Sequence, residues 1–152
     1  MDKEILLTKE KYAELEAELN ELKHVTRKEI AENLEYAKSL GDLSENAEYH
    51  EARDKQAEVE DRINHLEQVL KVAKIVAHKK SDVVSLGSEV TVERNGSKAT
   101  YTIVGSEEAD MTKGKLSAES PFGLAIMGKK KGDKFSYKTP GGEMAFVIVD
   151  VK

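Results

Sequence analysis

No glycine or proline interrupts the chain from Thr8 to Leu40, and apolar residues recur along this run at the three-and-four spacing of a coiled-coil seam: Tyr12, Leu15, Leu19 and Leu22. A single helix of about 33 residues, with Thr8 as its N-cap, would span roughly 50 Å. The seam then passes through Thr26, Ile30 and Leu34 in successive steps of four before reaching Ala37. Such a stutter locally relaxes a supercoil. A second series follows Gly41: Tyr49, Ala52, Gln56, Val59, Ile63, Leu66, Leu70, Ala73 and Ala77 alternate by three and four. Two arms of matching length predict an antiparallel helical hairpin. Small residues near its turn (Ala37, Ala47, Ala52) let the helices approach closely, and polar Thr26 and Gln56 are placed to set the register of the seam.

The turn itself is Gly41-Asp42-Leu43-Ser44-Glu45-Asn46-Ala47-Glu48-Tyr49. Gly41 can adopt the left-handed conformation that ends a helix, and Asp42 or Ser44 can cap the next one with Glu45 in its first turn. Two carboxylates are then expected at the far end of a rod, away from any core. Asp-x-x-Glu is equally a capping-box pattern, in which Asp42 accepts from the Glu45 N–H while Glu45 reaches back. Taken as four residues alone, the pattern favours that structural role.

Charged residues make up 35% of the 152 positions and aromatic residues only 5%, the balance of a chain with much helical surface and little interior. Cysteine is absent, which excludes disulfides and thiolate metal sites. His24, His50, His65 and His78 show no ligand spacing, so all four are expected to be solvated or structural. The start of the chain lacks a basic, then apolar, signal segment, and no stretch approaches the roughly 20 apolar residues of a membrane span. A cytoplasmic protein is expected. Residues 1–78 carry 12 Lys+Arg against 19 Asp+Glu, and residues 79–152 carry 12 against 10. Neither half resembles a free-standing DNA binder, so any nucleic acid would be held chiefly by another molecule.

Beyond a polar junction at Ala77-His78-Lys79-Lys80-Ser81-Asp82 the period becomes two. Strands are expected at Glu89–Arg94 and Ala99–Val104 about the turn Asn95-Gly96, and at Lys134–Lys138 and Glu143–Val151 about Pro140-Gly141-Gly142. Ser120-Pro121 reads as N-cap and first position of a short helix, Phe122 to Met127, closed by Gly128. The expected organisation is therefore two domains: a helical hairpin over residues 1–78, and over 79–152 an α+β domain whose mostly antiparallel sheet carries one helix.

Gly41-Asp-Leu-Ser-Glu-Asn-Ala-Glu-Tyr-His50 followed by Ala52-Arg53, halfway along a helical hairpin, resembles the tip signature of bacterial transcript cleavage factors of the GreA/GreB family. The second half is similar to that family in Asp110, in Ser120-Pro121, in Gly128-Lys129 with Gly132-Asp133, and in Pro140-Gly141-Gly142. The resemblance implies a coiled coil that enters the secondary channel of bacterial RNA polymerase and an FKBP-like C-terminal domain that docks near the channel's outer rim. It implies a monomeric accessory factor, with no membrane partner, that improves the polymerase's own cleavage of the 3′ end of backtracked RNA. Asp42 and Glu45 match the family's two acidic tip positions, whose implied role is to help hold a second Mg²⁺ shared with the polymerase and to orient the attacking water. No cofactor is expected on the chain alone, because an isolated pair of exposed carboxylates binds Mg²⁺ poorly.

Lys38 and Arg53 match a basic patch that the family turns toward the extruded RNA; the plain alternative is a salt bridge with neighbours such as Glu35 or Asp54. The scarcity of basic residues at the tip favours the GreA-like branch, associated with short products. Gly41, Asn46 and Tyr49 are expected to build the tip, Tyr49 as a seam residue rather than a nucleic-acid contact. The Lys129-Lys130-Lys131 run reads as a solvated turn. Leu124 and Phe122 depart from the family pattern, where a basic and an aliphatic residue are usual. Two other functions are open: an inhibitory channel binder, which would depart from the two-acid pattern kept here, and a prolyl isomerase, against which the low aromatic count argues.

Overall fold

The computed structural model describes residues 4–152. It divides into two compact units, residues 10–73, and residues 4–9 together with 74–152. The expected boundary at 78 thus moves, because the residues before the first helix belong with the second unit; residues 1–3, also assigned to the helical module, lie outside the described residues.

The first unit is the hairpin. Its first arm runs through α1 (Lys9–Glu21), a π-helical turn (Leu22–Thr26) and α2 (Arg27–Ser39); its second arm is α3 (Ala47–Val72). The π turn lies where the seam begins its run of steps of four. A π turn absorbs one extra residue without breaking the helix, and one is what the run of fours adds to a strict three-four alternation. The stutter is therefore taken up by a local change of helix type. Ile30, Val59 and Ile63 form a buried cluster, with Leu19, Leu22 and Leu34 packed against it. Leu15, Ala37, Leu66 and Val69 are buried too.

Two expectations about the seam fail. Among the described residues Thr26 and Gln56 make no hydrogen bond across the arms; Gln56 accepts from Arg53 of its own helix at 3.4 Å. The cross-arm polar ties are ion pairs instead: Arg27 donates twice to Glu60 at 2.7 Å, Arg62 twice to Glu18 at 2.7 and 2.9 Å, and Lys23 lies 2.6 Å from Glu67. Ala73 and Ala77 also leave the seam, because α3 ends at Val72 and residues 73–75 become a strand.

That strand, β2 (Ala73–Ile75), pairs with β1 (Ile5–Leu7) as a two-stranded ribbon, extended by the Val76 N–H donating to Leu7 O at 2.9 Å. Leu7 is fully buried. Leu6 passes so close to Gly105 that a Cβ there would overlap the Leu6 carbonyl oxygen. The Thr8 N–H donates to Glu108, a buried carboxylate, at 2.9 Å.

The rest of the second unit is a five-stranded sheet of order β5-β4-β3-β7-β6, formed by β3 (Glu89–Arg94), β4 (Ser97–Val104), β5 (Lys115–Ser117), β6 (Lys134–Thr139) and β7 (Gly142–Val151). Only β4 and β5 run parallel. Asn95 and Gly96 both take positive φ (53° and 80°), the conformation that their dipeptide predicts for a tight hairpin turn. The helix α4 (Pro121–Ile126) opens as expected, with the Ser120 hydroxyl accepting the Gly123 N–H at 3.1 Å. Phe122, the departure from the family pattern, is the hub of the core: its ring meets Tyr101, Phe135, Tyr137 and Phe146 edge-on at 5.3–6.0 Å. Val84, Val90, Val92, Ile103, Ile126 and Ile148 complete the buried cluster. No helix of the described residues is long and apolar enough to cross a membrane.

Candidate functional site

The hairpin turn begins where α2 runs out of helix. The Leu40 N–H bonds back to Ala37 O at 3.1 Å, and Gly41, at φ +128°, takes the chain out of the helix as expected. α3 does not start at either residue expected to cap it. Its N-cap is Asn46, whose Oδ1 accepts the Tyr49 N–H at 3.0 Å while its Nδ2 donates to Ala37 O at 2.6 Å. One amide side chain thus satisfies a free donor at the start of α3 and gives Ala37 O, at the end of α2, a second hydrogen bond beside that from Leu40. The composition carried a signal for this, since Asn is among the strongest N-caps and stands directly before Ala47-Glu48.

The consequence falls on the two acids. Asp42 and Glu45 both lie in the connecting loop, exposed, outside either helix. The capping box is not formed: Asp42 Oδ1 accepts the N–H and the hydroxyl of Ser44, at 3.0 and 2.9 Å, rather than the Glu45 N–H. These two bonds fix the plane of the carboxylate and leave Oδ2 without a partner among the described residues. They also hold the Asp42 carboxyl below the usual aspartate value, the backbone N–H of Ser44 contributing most and its hydroxyl next. Glu45 has no hydrogen bond or ion pair among the described residues, so both of its oxygens face solvent. His50 Nε2 lies 3.3 Å from Ser44 O and braces the same loop.

Tyr49 is half-buried at the head of α3, with its ring edge-on to His50 at 5.7 Å. Lys38 is exposed, with no ion pair among the described residues, and Arg53 meets only Gln56. The salt bridges to Glu35 or Asp54 that formed the plain alternative are not made. Every residue singled out at the tip therefore falls within one loop and the helical turns beside it. Among the described residues no three His, Cys, Asp or Glu side chains converge into a metal site. The pair offers hard oxygen ligands of the type Mg²⁺ prefers, too few to hold the ion without ligands from elsewhere.

A family model described as "Transcription elongation factor, N-terminal" matches residues 5–75, and one described as "Transcription elongation factor, GreA/GreB, C-term" matches residues 79–152. The transcription elongation factor GreA of Geobacillus kaustophilus is 48% identical over 155 residues, covering 99% of this chain and 98% of the relative. That of Bacillus anthracis is 47% identical over 150 residues, covering 96% and 95%. Among solved structures, GreA factor homolog 1 of Thermus thermophilus aligns with 99% of both chains at 30% identity and a TM-score of 0.47.

Proposed function

The chain belongs to the GreA/GreB family of transcription elongation factors, and we propose on that premise that its hairpin enters the secondary channel of bacterial RNA polymerase and stimulates the polymerase's own cleavage of backtracked RNA. The observation that carries this reading is the division of labour in the turn. Asn46 performs the capping, so Asp42 and Glu45 remain as two exposed carboxyl groups with three of their four oxygens unengaged among the described residues.

Asp42 would present Oδ2 from a carboxylate already oriented by Ser44, and Glu45 would present either oxygen from a longer, freer side chain. Together they fit a site whose other ligands come from the polymerase and the RNA. A Mg²⁺ ion held there would stabilise charge on the oxygens of the phosphodiester under attack. Each acid can also accept a hydrogen bond from a water and so orient it toward phosphorus. Lys38 and Arg53, which have no acidic partner among the described residues, are suited to the phosphates of the extruded RNA. The sheet-rich unit supplies docking affinity in this reading. Its aromatic rings are gathered around Phe122 in the unit's own core, which does not favour a prolyl isomerase.

The test is to add the purified protein to backtracked elongation complexes carrying labelled RNA. Release of short 3′ fragments that depends on both the factor and Mg²⁺ is expected. Arrested complexes that stay uncleaved, or whose elongation is blocked by the factor, would establish the inhibitory alternative and overturn the proposal.

A further inference from the structure

The two faces of the hairpin near its tip are chemically different. On one, an open groove of about 600 Å³ lies between α2 and α3, floored by Ile30 and Ala52 and edged by Glu29 and Tyr36 from one arm and Glu48 and Glu51 from the other. That volume is within the range of about 300–1,000 Å³ that accommodates a bound group of several side chains or a small molecule. Lys38 and Arg53 do not line it. Each stands two residues, about 200° of helix rotation, from a groove residue (Tyr36 and Glu51), so each projects from the other side.

Further from the tip, acids on one arm are matched by bases on the other: Glu18 by Arg62, Glu60 by Arg27, Glu67 by Lys23. The groove acids are not matched. Glu29, Glu48 and Glu51 have no ion pair among the described residues, and Lys55 is the one cation lining the groove. Tyr36 adds an aromatic ring that is 62% exposed on a helix otherwise buried along its seam. Unpaired carboxylates beside an exposed ring form a receptor for a cation: the acids attract it over distance, and the ring face holds it at contact. The same charges repel RNA phosphates.

We propose that this groove docks a basic protein segment, bearing at least one arginine or lysine, on the wall of the polymerase channel, and thereby sets the rotation of the hairpin so that Lys38 and Arg53 face the RNA. The inference rests on the proposed entry into that channel and names the surface that meets its wall.

Labelled full-length protein would be titrated with bacterial core RNA polymerase, and the parent compared with Glu29→Gln/Glu51→Gln, Tyr36→Ala and Tyr36→Phe. The double variant is expected to bind on the order of tenfold more weakly, with a shallower dependence on salt. Tyr36→Ala should weaken binding by about threefold while Tyr36→Phe, which keeps the ring, restores it. Helicity measured by circular dichroism should be unchanged throughout, and cleavage at saturating factor should match the parent. A photo-cross-linker at Asn33 should label a Lys/Arg-rich polymerase peptide. If the cross-linker labels RNA, or if all variants bind like the parent, the groove assignment falls. A parent that binds but does not stimulate cleavage overturns the proposed function while the affinity comparison still decides the groove; a parent that does not bind overturns both.

Discussion

The stem and the tip of the hairpin are built from the same seam and solve opposite problems. In the stem, Ile30, Val59 and Ile63 are buried together, and three ion pairs join the arms on the outside. At the tip the seam narrows to alanines, and one amide, Asn46, joins the arms through two hydrogen bonds. Among the described residues, Asp42, Glu45, Lys38 and Arg53 form no ion pair there. The stem spends its side chains on holding two helices together, whereas the tip delegates that task to a single residue and keeps its acids and bases available for other molecules.

Substitutions that exchange these roles test the contrast, beginning with the largest effect. Ile63→Ala should cost about 2–5 kcal/mol of hairpin stability, because a large side chain that is fully buried leaves a cavity between two helices. The loss would be read as a lowered melting temperature followed at the helical band. A stem that tolerated it would not be packed as described.

Asp42→Asn and Glu45→Gln are expected to do the reverse. Either should reduce stimulated transcript cleavage by on the order of a hundredfold, with helicity, melting temperature and polymerase binding close to the parent. Combined, they should fall short of the product of the single effects, since both acids would serve one ion. Activity lost only in step with lost helicity would show that the acids are structural after all.

Asn46→Ala removes both the cap and the tie to Ala37, and about 1 kcal/mol of stability should go with them. Asn46→Asp keeps an acceptor for the Tyr49 N–H but loses the donor to Ala37 O, so it should fall between parent and Ala. An Asn46→Asp variant that melted with the parent would mean that the tie across the arms contributes nothing.

The smallest effect concerns the stem ion pairs, which are half-exposed. Arg62 and Arg27 hold the carboxyls of Glu18 and Glu60 below the usual glutamate value, chiefly through side-chain hydrogen bonds. A depressed carboxyl adds stability above its unfolded value and loses it as pH falls through its folded value. The hairpin should therefore melt slightly earlier as pH drops below the ordinary carboxylate range. Arg27→Gln should flatten part of that slope, and added salt should erase the difference.

What the sequence by itself determined was everything with a repeat or a local dihedral requirement. The three-four spacing identified both arms, the switch to period two identified four of the sheet strands, and Asn95-Gly96, Gly41 and Ser120-Pro121 each specified a turn or a helix start that the structure contains. The residues of the tip were legible for a similar reason, since they lie within one short segment between two periodic ones. The parts decided only by tertiary structure lack such a local cause. Three-residue strands such as β1, β2 and β5 carry no periodicity and exist because a partner strand accepts their hydrogen bonds. The extra residue in the seam became a π turn because the seam has to keep meeting Val59 and Ile63 on the facing arm. The choice of cap among Asp42, Ser44 and Asn46 was made by space rather than propensity: all three are good caps, but only Asn46 sits where one side chain reaches both the Tyr49 N–H and the carbonyl of Ala37. That choice frees the two carboxylates, and it depends on where one helix ends relative to the start of the next.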